Sequence, residues 1–223
     1  MPTSRAEWDD LKRKFYRMGG IPNVMGAIDC THVAFNAPKR KEHIYRNRKS
    51  YHSINVQVVV DADMVIRNVV TGFPGCCHDA HILKHSGIYD AFESGELSGG
   101  WLLGDSGYPC LKWLLTPVGR ASTAAEMAYN SAHSRTRVVV ERTFGVLKGR
   151  FRAISLSGGH LRYSPGKVCK IVMACCVLHN MARKAGLELN EEIPEDDDMP
   201  IDDVEAERGG NAARTQVINH FFA

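Results

Sequence analysis

The sequence predicts a mixed α/β domain built in layers, and three observations carry that reading. Strand-like and helix-like segments alternate along the chain instead of falling into separate blocks. Residues 53–60, SINVQVVV, form a β-branched run followed by the turn residues Asp61-Ala62-Asp63. Beyond residue 123 the pattern changes to long stretches with helical spacing.

Taken in order, residues 5–18 mix charges with Trp8, Phe15 and Tyr16 and read as a helix. Residues 25–35, MGAIDCTHVAF, read as an apolar strand with polar residues at its middle and end. A basic loop, APKRKEHIYRNRKSYH, leads into the strand at 53–60, and residues 64–70 are its hairpin partner. Gly72-Phe73-Pro74-Gly75 is loop. Residues 78–92 have helical spacing, with Ile82, Leu83, Ile88 and Phe92 apolar. Residues 101–103 form a strand that ends at Gly104-Asp105-Ser106-Gly107, and residues 111–117 hold another short strand. Residues 123–151 and 166–185 are helical. An acidic tail follows Leu189 and is expected to be disordered. The expected division is an N-terminal helical segment at 1–20, a core domain at 21–185 and the tail at 186–223.

A formal net charge of +3 hides an asymmetry. Residues 188–207 hold 11 acids and no Lys or Arg, whereas residues 1–187 carry 26 Lys and Arg against 14 acids, a net of +12. A basic body of this kind points to a polyanionic partner. The tail reads as a solubilising end, with an acidic interaction segment as the alternative. With 44% hydrophobic and 24% charged residues, the chain is neither fibrous nor wholly disordered. No apolar run approaches the ~18 residues that a membrane helix needs. The N-terminus has no apolar stretch of the secretory kind, and the seven Cys, without a Cys-x-x-Cys, read as reduced thiols.

Acids are scarce outside the tail, so their placement is informative. Asp29 interrupts the apolar strand Gly26-Ala27-Ile28, where a carboxylate is costly unless it is paired or holds a cation. Asp105 repeats that situation at the end of Trp101-Leu102-Leu103-Gly104. Glu141 follows Val138-Val139-Val140 within a helix. At ~100° per residue, Val140, Phe144, Leu147 and Phe151 make a core stripe, and Arg137, Glu141, Gly145, Lys148 and Arg152 make its neighbour. Glu141 is thus expected at the edge of the core among cations, with Gly145 leaving room for a ligand. The competing reading is a solvated basic face with one Arg137–Glu141 ion pair. Two strand carboxylates and one helix carboxylate suit a divalent-metal phosphodiester site. Mg²⁺ prefers oxygen ligands, and two ions can activate water and stabilise a leaving oxygen.

Four ordered segments carry a resemblance to the transposase family of PIF/Harbinger elements and the nucleases derived from them in animals. They are Gly26-Ala27-Ile28-Asp29-Cys30-Thr31-His32-Val33, Gly72-Phe73-Pro74-Gly75-Cys76-Cys77-His78-Asp79, Leu103-Gly104-Asp105-Ser106-Gly107-Tyr108-Pro109, and Val140-Glu141-Arg142-Thr143-Phe144-Gly145-Val146-Leu147-Lys148. The resemblance covers about residues 20–184. It implies an RNase H-like core, a five-stranded mixed sheet flanked by helices, over residues 21–185. It maps the family's Asp-Asp-Glu triad to Asp29, Asp105 and Glu141. Those three would hold two Mg²⁺ or Mn²⁺ ions for hydrolysis of DNA. It also sets Asp79 beside the active site, with His32 and His78 as further residues that orient ligands. The alternative is a domesticated, non-catalytic DNA- or protein-binding module on the same fold.

The chain also departs from the family. Only 25 residues precede the first motif, so the helix-turn-helix region of full-length members is expected to be absent. Target recognition would then depend on a Myb-like DNA-binding partner. Cys30 stands where the family's motif has Gly. DNA contacts are expected from the loop residues Lys39, Arg40, Lys41, Arg46, Arg48 and Lys49, with Tyr45 and Tyr51 interleaved, and from Arg137, Arg142 and Lys148. A solvated basic loop is the plainer reading of the first group. Two rival sites are weaker. Gly104-Asp105-Ser106-Gly107 matches part of a serine-protease motif, but no matching His motif precedes it. His78, His81 and His85 share one helix face and suit a transition metal, yet equally suit a polar surface. Nuclear residence is inferred from the substrate, with cytoplasmic retention and partner-assisted import equally compatible. No membrane association is expected, whereas an oligomer is compatible with the resemblance, its interface unidentified in the sequence.

Overall fold

The structure, a computed structural model, describes residues 4–189 and 209–223. The elements in order are α1 (Arg5–Gly19), β1 (Val24–Ala34), α2 (Glu42–Tyr45), β2 (Ser53–Val60), β3 (Ile66–Pro74), α3 (Asp79–Lys84), α4 (Gly87–Glu93), β4 (Trp101–Leu103), β5 (Leu114–Leu115), α5 (Ala124–Arg150), α6 (Pro165–Lys184) and α7 (Gly210–Phe221). Two short 3₁₀ turns, Arg152–Ile154 and Leu156–Gly158, link α5 to α6.

The five strands form one sheet in the order β3-β2-β1-β4-β5. β1 pairs antiparallel with β2 and parallel with β4, so the direction of pairing changes across this strand. This is the mixed five-stranded sheet that the family resemblance implies. All eight residues of β2 are buried, which explains its continuous Val-rich run in place of an alternating one. Helices cover the sheet: α1 and α5 pack on β1, α6 packs on β2 and β3, and α3 packs on β2.

Local chemistry sets the helix ends. Ser4 accepts the Glu7 N–H at 3.2 Å to start α1. Thr123 and Glu126 form a reciprocal capping box at the start of α5. The helical pattern at 78–92 divides into two helices because Ser86 caps α4, accepting the Tyr89 N–H at 3.3 Å. Gly19 lets α1 cross α5 closely, since a Cβ there would lie 2.5 Å from the Ala132 carbonyl and collide with Thr136 Oγ1. The N-terminal helix therefore shares the core, with Leu11 and Phe15 buried.

Two differences from the sequence reading concern the ends of elements. β3 runs on to Pro74, taking in residues read as loop. The acidic stretch 190–208 lies outside the described residues. Residues beyond it, assigned above to a disordered tail, instead form α7. That helix buries Val217 and Ile218, sets Phe222 edge-on to Tyr129, and ties Arg214 to the Pro117 carbonyl at 2.6 Å. The apolar group Val217, Ile218, Phe221 and Phe222 was the signal for it, obscured by the acids upstream.

Candidate metal centre

Asp29 lies midway along β1, opposite Val58 of β2. Asp105 lies two residues beyond the end of β4, the parallel neighbour of β1. Asp79 is the first residue of α3. Gly75 brings the segment before α3 against β2, where a Cβ would lie 2.6 Å from the Tyr45 carbonyl and collide with Ser53 Oγ. Each of the three aspartates offers a carboxylate oxygen within 4.8 Å of the others. Among the described residues this is the one group of three metal-ligating side chains so placed.

Each carboxylate is fixed by local bonds. Asp29 Oδ1 accepts the Cys30 N–H at 2.8 Å. Asp105 Oδ1 accepts the Gly107 N–H at 3.0 Å, the turn that the sequence reading foresaw after β4. Asp79 Oδ1 accepts from Asn55 Nδ2 at 3.1 Å. Asp29 and Asp105 are each 8% exposed. Burial, reinforced by repulsion from Asp29, raises the Asp79 pKa above the ordinary Asp value. A divalent cation relieves both penalties. The donor set, three carboxylates and no thiolate or imidazole, fits a hard cation such as Mg²⁺ or Mn²⁺. Cys30 is enclosed next to this centre. Its Sγ lies 3.2 Å from Tyr108 Oη, and burial pushes both groups well above their usual pKa values.

Glu141 is attached to this centre through Arg137. The guanidinium donates from Nη1 to Asp29 Oδ2 at 3.1 Å and from Nη2 to Glu141 Oε1 at 2.8 Å. Burial opposes the charge on Arg137, but Asp29, Asp105 and Glu141 outweigh it and hold the pKa above its ordinary value. The Glu141 side chain is 42% exposed, and the Arg137 side chain is 13% exposed. The expected i,i+4 pair is therefore present, and it continues into the aspartate cluster.

The remaining predicted residues divide. Lys39, Arg40, Lys41, Arg46, Arg48, Lys49 and Arg142 are all exposed at the surface. Arg48 Nη2 donates to His78 Nδ1 at 2.8 Å, which links the basic loop to the start of α3, one residue from Asp79. His32 Nδ1 lies 2.9 Å from Ser53 Oγ. Lys148 corrects the expectation of a phosphate contact, because it is only 6% exposed. The chain returns over this end of α5, with Arg150 donating to the Leu187 carbonyl at 2.7 Å and Leu189 against Gly149. Gly145 is likewise buried. The His81 and His85 rings lie 4.3 Å apart, tilted by 38°, and flank Phe73; neither joins the aspartate group.

Sequence reasoning missed the segment after α5. Leu161 donates to the Ala34 carbonyl at 3.1 Å and accepts from Asn36 N at 2.9 Å, lying beside the end of β1. This places exposed His160, Arg162 and Tyr163 next to the basic loop, and the His160 ring stacks on Tyr51 at 6.4 Å. Only the unpaired edge of β1 could have signalled that contact.

A family profile described as "DDE superfamily endonuclease" matches residues 28–180. The chain belongs to that family. It is 40% identical over 230 residues to "Putative nuclease HARBI1" of Mus musculus, covering 99% of this chain and 65% of the relative. The Homo sapiens protein of the same name is 43% identical over 188 residues, covering 84% of this chain and 54% of the relative. "Protein ALP1-like" of Arabidopsis thaliana is 33% identical over 189 residues, covering 78% of this chain and 46% of the relative. The chain thus spans about two thirds or less of these relatives' length. No solved structure matches it. The matched segment begins one residue before Asp29 and includes Asp79, Asp105 and Glu141. Among the described residues, no helix is long and apolar enough to cross a membrane.

Proposed function

We propose that this chain is a metal-dependent endonuclease that hydrolyses DNA phosphodiester bonds, with Asp29, Asp105 and Glu141 as the metal-holding triad. The observation that carries the reading is the convergence of Asp29, Asp79 and Asp105 within 4.8 Å in a member of an endonuclease superfamily. Bound divalent ions supply an activated water and stabilise the leaving 3′ oxygen. Asp29 and Asp105 fix the ions against the sheet, Asp79 adds a further carboxylate, and Glu141 closes the site from α5. The basic loop at 39–49, with Arg142 and Arg162, holds the phosphate backbone beside the site. In this reading a Myb-like protein supplies target recognition, and the chain acts in the nucleus.

A second reading, a non-catalytic DNA- or protein-binding module, is favoured by one feature: Glu141 pairs with Arg137 and is not among the clustered carboxylates. Nicking of supercoiled DNA with Mg²⁺ or Mn²⁺ separates the two. The nuclease reading expects metal-dependent nicking that falls at least about a hundredfold in Asp105→Ala, beyond the ten- to hundredfold cost of changing a residue that merely supports a ligand. No metal-dependent nicking, or equal nicking by the variant, leaves the binding module as the function.

A further inference from the structure

Arg137 occupies the ligand oxygens that the triad would need. Its two terminal nitrogens take Asp29 Oδ2 and Glu141 Oε1, one carboxylate from the sheet and one from the helix. Its side chain is 13% exposed, so the guanidinium lies inside the site and does not lie along its rim. Asp29, Asp79, Asp105 and Glu141 together with Arg137 carry a formal charge of −3. A metal-free site with four carboxylates and no internal cation would be strongly self-repelling.

We infer that Arg137 is a resident counter-ion, exchanged for metal when the site is loaded. This inference rests on the metal-binding reading of Asp29, Asp105 and Glu141. In the metal-free protein the guanidinium neutralises the cluster and holds Glu141 against α5. A cation that takes Asp29 Oδ2 competes directly with Arg137 Nη1. Once that bond is given up, the Arg137–Glu141 pair loses its anchor to the sheet. Glu141 is then free to turn toward the cluster. Arg137 is thus a positioning residue that works against metal binding and for the closed site.

The test is Mn²⁺ affinity, read by titration calorimetry or by the paramagnetic resonance of free Mn²⁺, on the full chain without DNA. Arg137→Gln should bind Mn²⁺ about tenfold more tightly than wild type, while its metal-free form melts at a lower temperature. Arg137→Lys keeps the charge but spans only one carboxylate, and its affinity should fall between the two. It reads the same competition if the neutral variant does not fold. In a Glu141→Gln background one contested ligand is gone, so the Arg137→Gln gain should shrink to about threefold, a non-additivity that a merely structural arginine would not produce. Unchanged or weaker Mn²⁺ binding by Arg137→Gln, or full additivity with Glu141→Gln, overturns the exchange. Absence of Mn²⁺ binding in wild type overturns the metal reading itself, a distinct result.

Discussion

The two sides of the candidate site hold their carboxylates by different means. On the sheet side, Asp29 and Asp105 are each 8% exposed and bond to main-chain amides next to them, Cys30 N–H and Gly107 N–H. On the helix side, Glu141 has a side chain 42% exposed, and it bonds to another side chain, Arg137. Backbone anchors cannot swing, so the sheet carboxylates stay close together despite their repulsion. A side-chain anchor can exchange partners. The difference teaches that, in the proposed nuclease, the β1–β4 seam would hold the cation, while α5 supplies the adjustable part.

The largest effect expected from this comparison is a split between activity and metal binding. Asp105→Asn keeps the oxygen that accepts Gly107 N–H but removes the charge. It should abolish nicking and weaken Mn²⁺ binding by more than about tenfold, or ~1.4 kcal/mol. Glu141→Gln should also stop nicking, yet weaken Mn²⁺ binding no more than about threefold. Calorimetric titration of both variants checks this. Equal losses of affinity would mean that the helix carboxylate is as fixed as those on the sheet. Metal-free Asp105→Asn should also melt no lower than wild type, since one of three crowded charges is gone.

The sheet side was also the more legible in the sequence. An acid inside an apolar strand has few explanations, so Asp29 and Asp105 were readable from Ile28-Asp29 and Gly104-Asp105 alone. The helix stripe located Val140, Phe144 and Leu147 in the core. It failed at Lys148, which is buried, because periodicity describes one helix and says nothing of what packs on it. Asp79 looked like a residue that only orients ligands. Its membership in the cluster depends on Asn55 and on the close approach of Gly75 to β2, neither of which spacing reveals. The pairing of Leu161 with the end of β1 crosses more than a hundred residues of sequence and left no local trace.

The helix backbone, unlike the Glu141 side chain, is firmly held. Tyr129 Oη donates to the Thr116 carbonyl at 3.0 Å, Asn130 bonds both the N–H and the carbonyl of Val118, and His133 Nε2 donates to the Leu115 carbonyl at 3.1 Å. Burial lowers the His133 pKa from 6.5 to about 4. The unfolded chain therefore binds the proton more readily than the folded one. The stability from neutral His133 is fully present above pH 6.5 and is lost as pH falls toward 4, about 3 kcal/mol across that window. His133→Gln keeps a donor without the titration. Its urea-unfolding free energy should fall less steeply than that of wild type between pH 6.5 and 4. Parallel pH profiles would mean that the α5–β5 junction admits a charged imidazole, and that the backbone under Glu141 is looser than its bonds indicate.

A smaller effect asks whether DNA touches both sides of the site. Arg162 lies beside the sheet edge at the end of β1, and Arg142 lies on α5 next to Glu141. Both are exposed. Removing one cation that meets a phosphate lowers the slope of log affinity against log salt by about 1, and weakens binding about fivefold near ~0.15 M salt. Arg162→Ala and Arg142→Ala should each show that change in fluorescence anisotropy titrations at several salt concentrations, with Mn²⁺ affinity unaltered. The double variant should lower the slope by about 2, because the two positions lie on different elements and would meet different phosphates. A duplex that tracks α5 alone would leave the Arg162→Ala slope at the wild-type value. The composite surface formed by residues 160–163 and the basic loop would then play no part in holding DNA, and the sheet side of the site would be reserved for the metal.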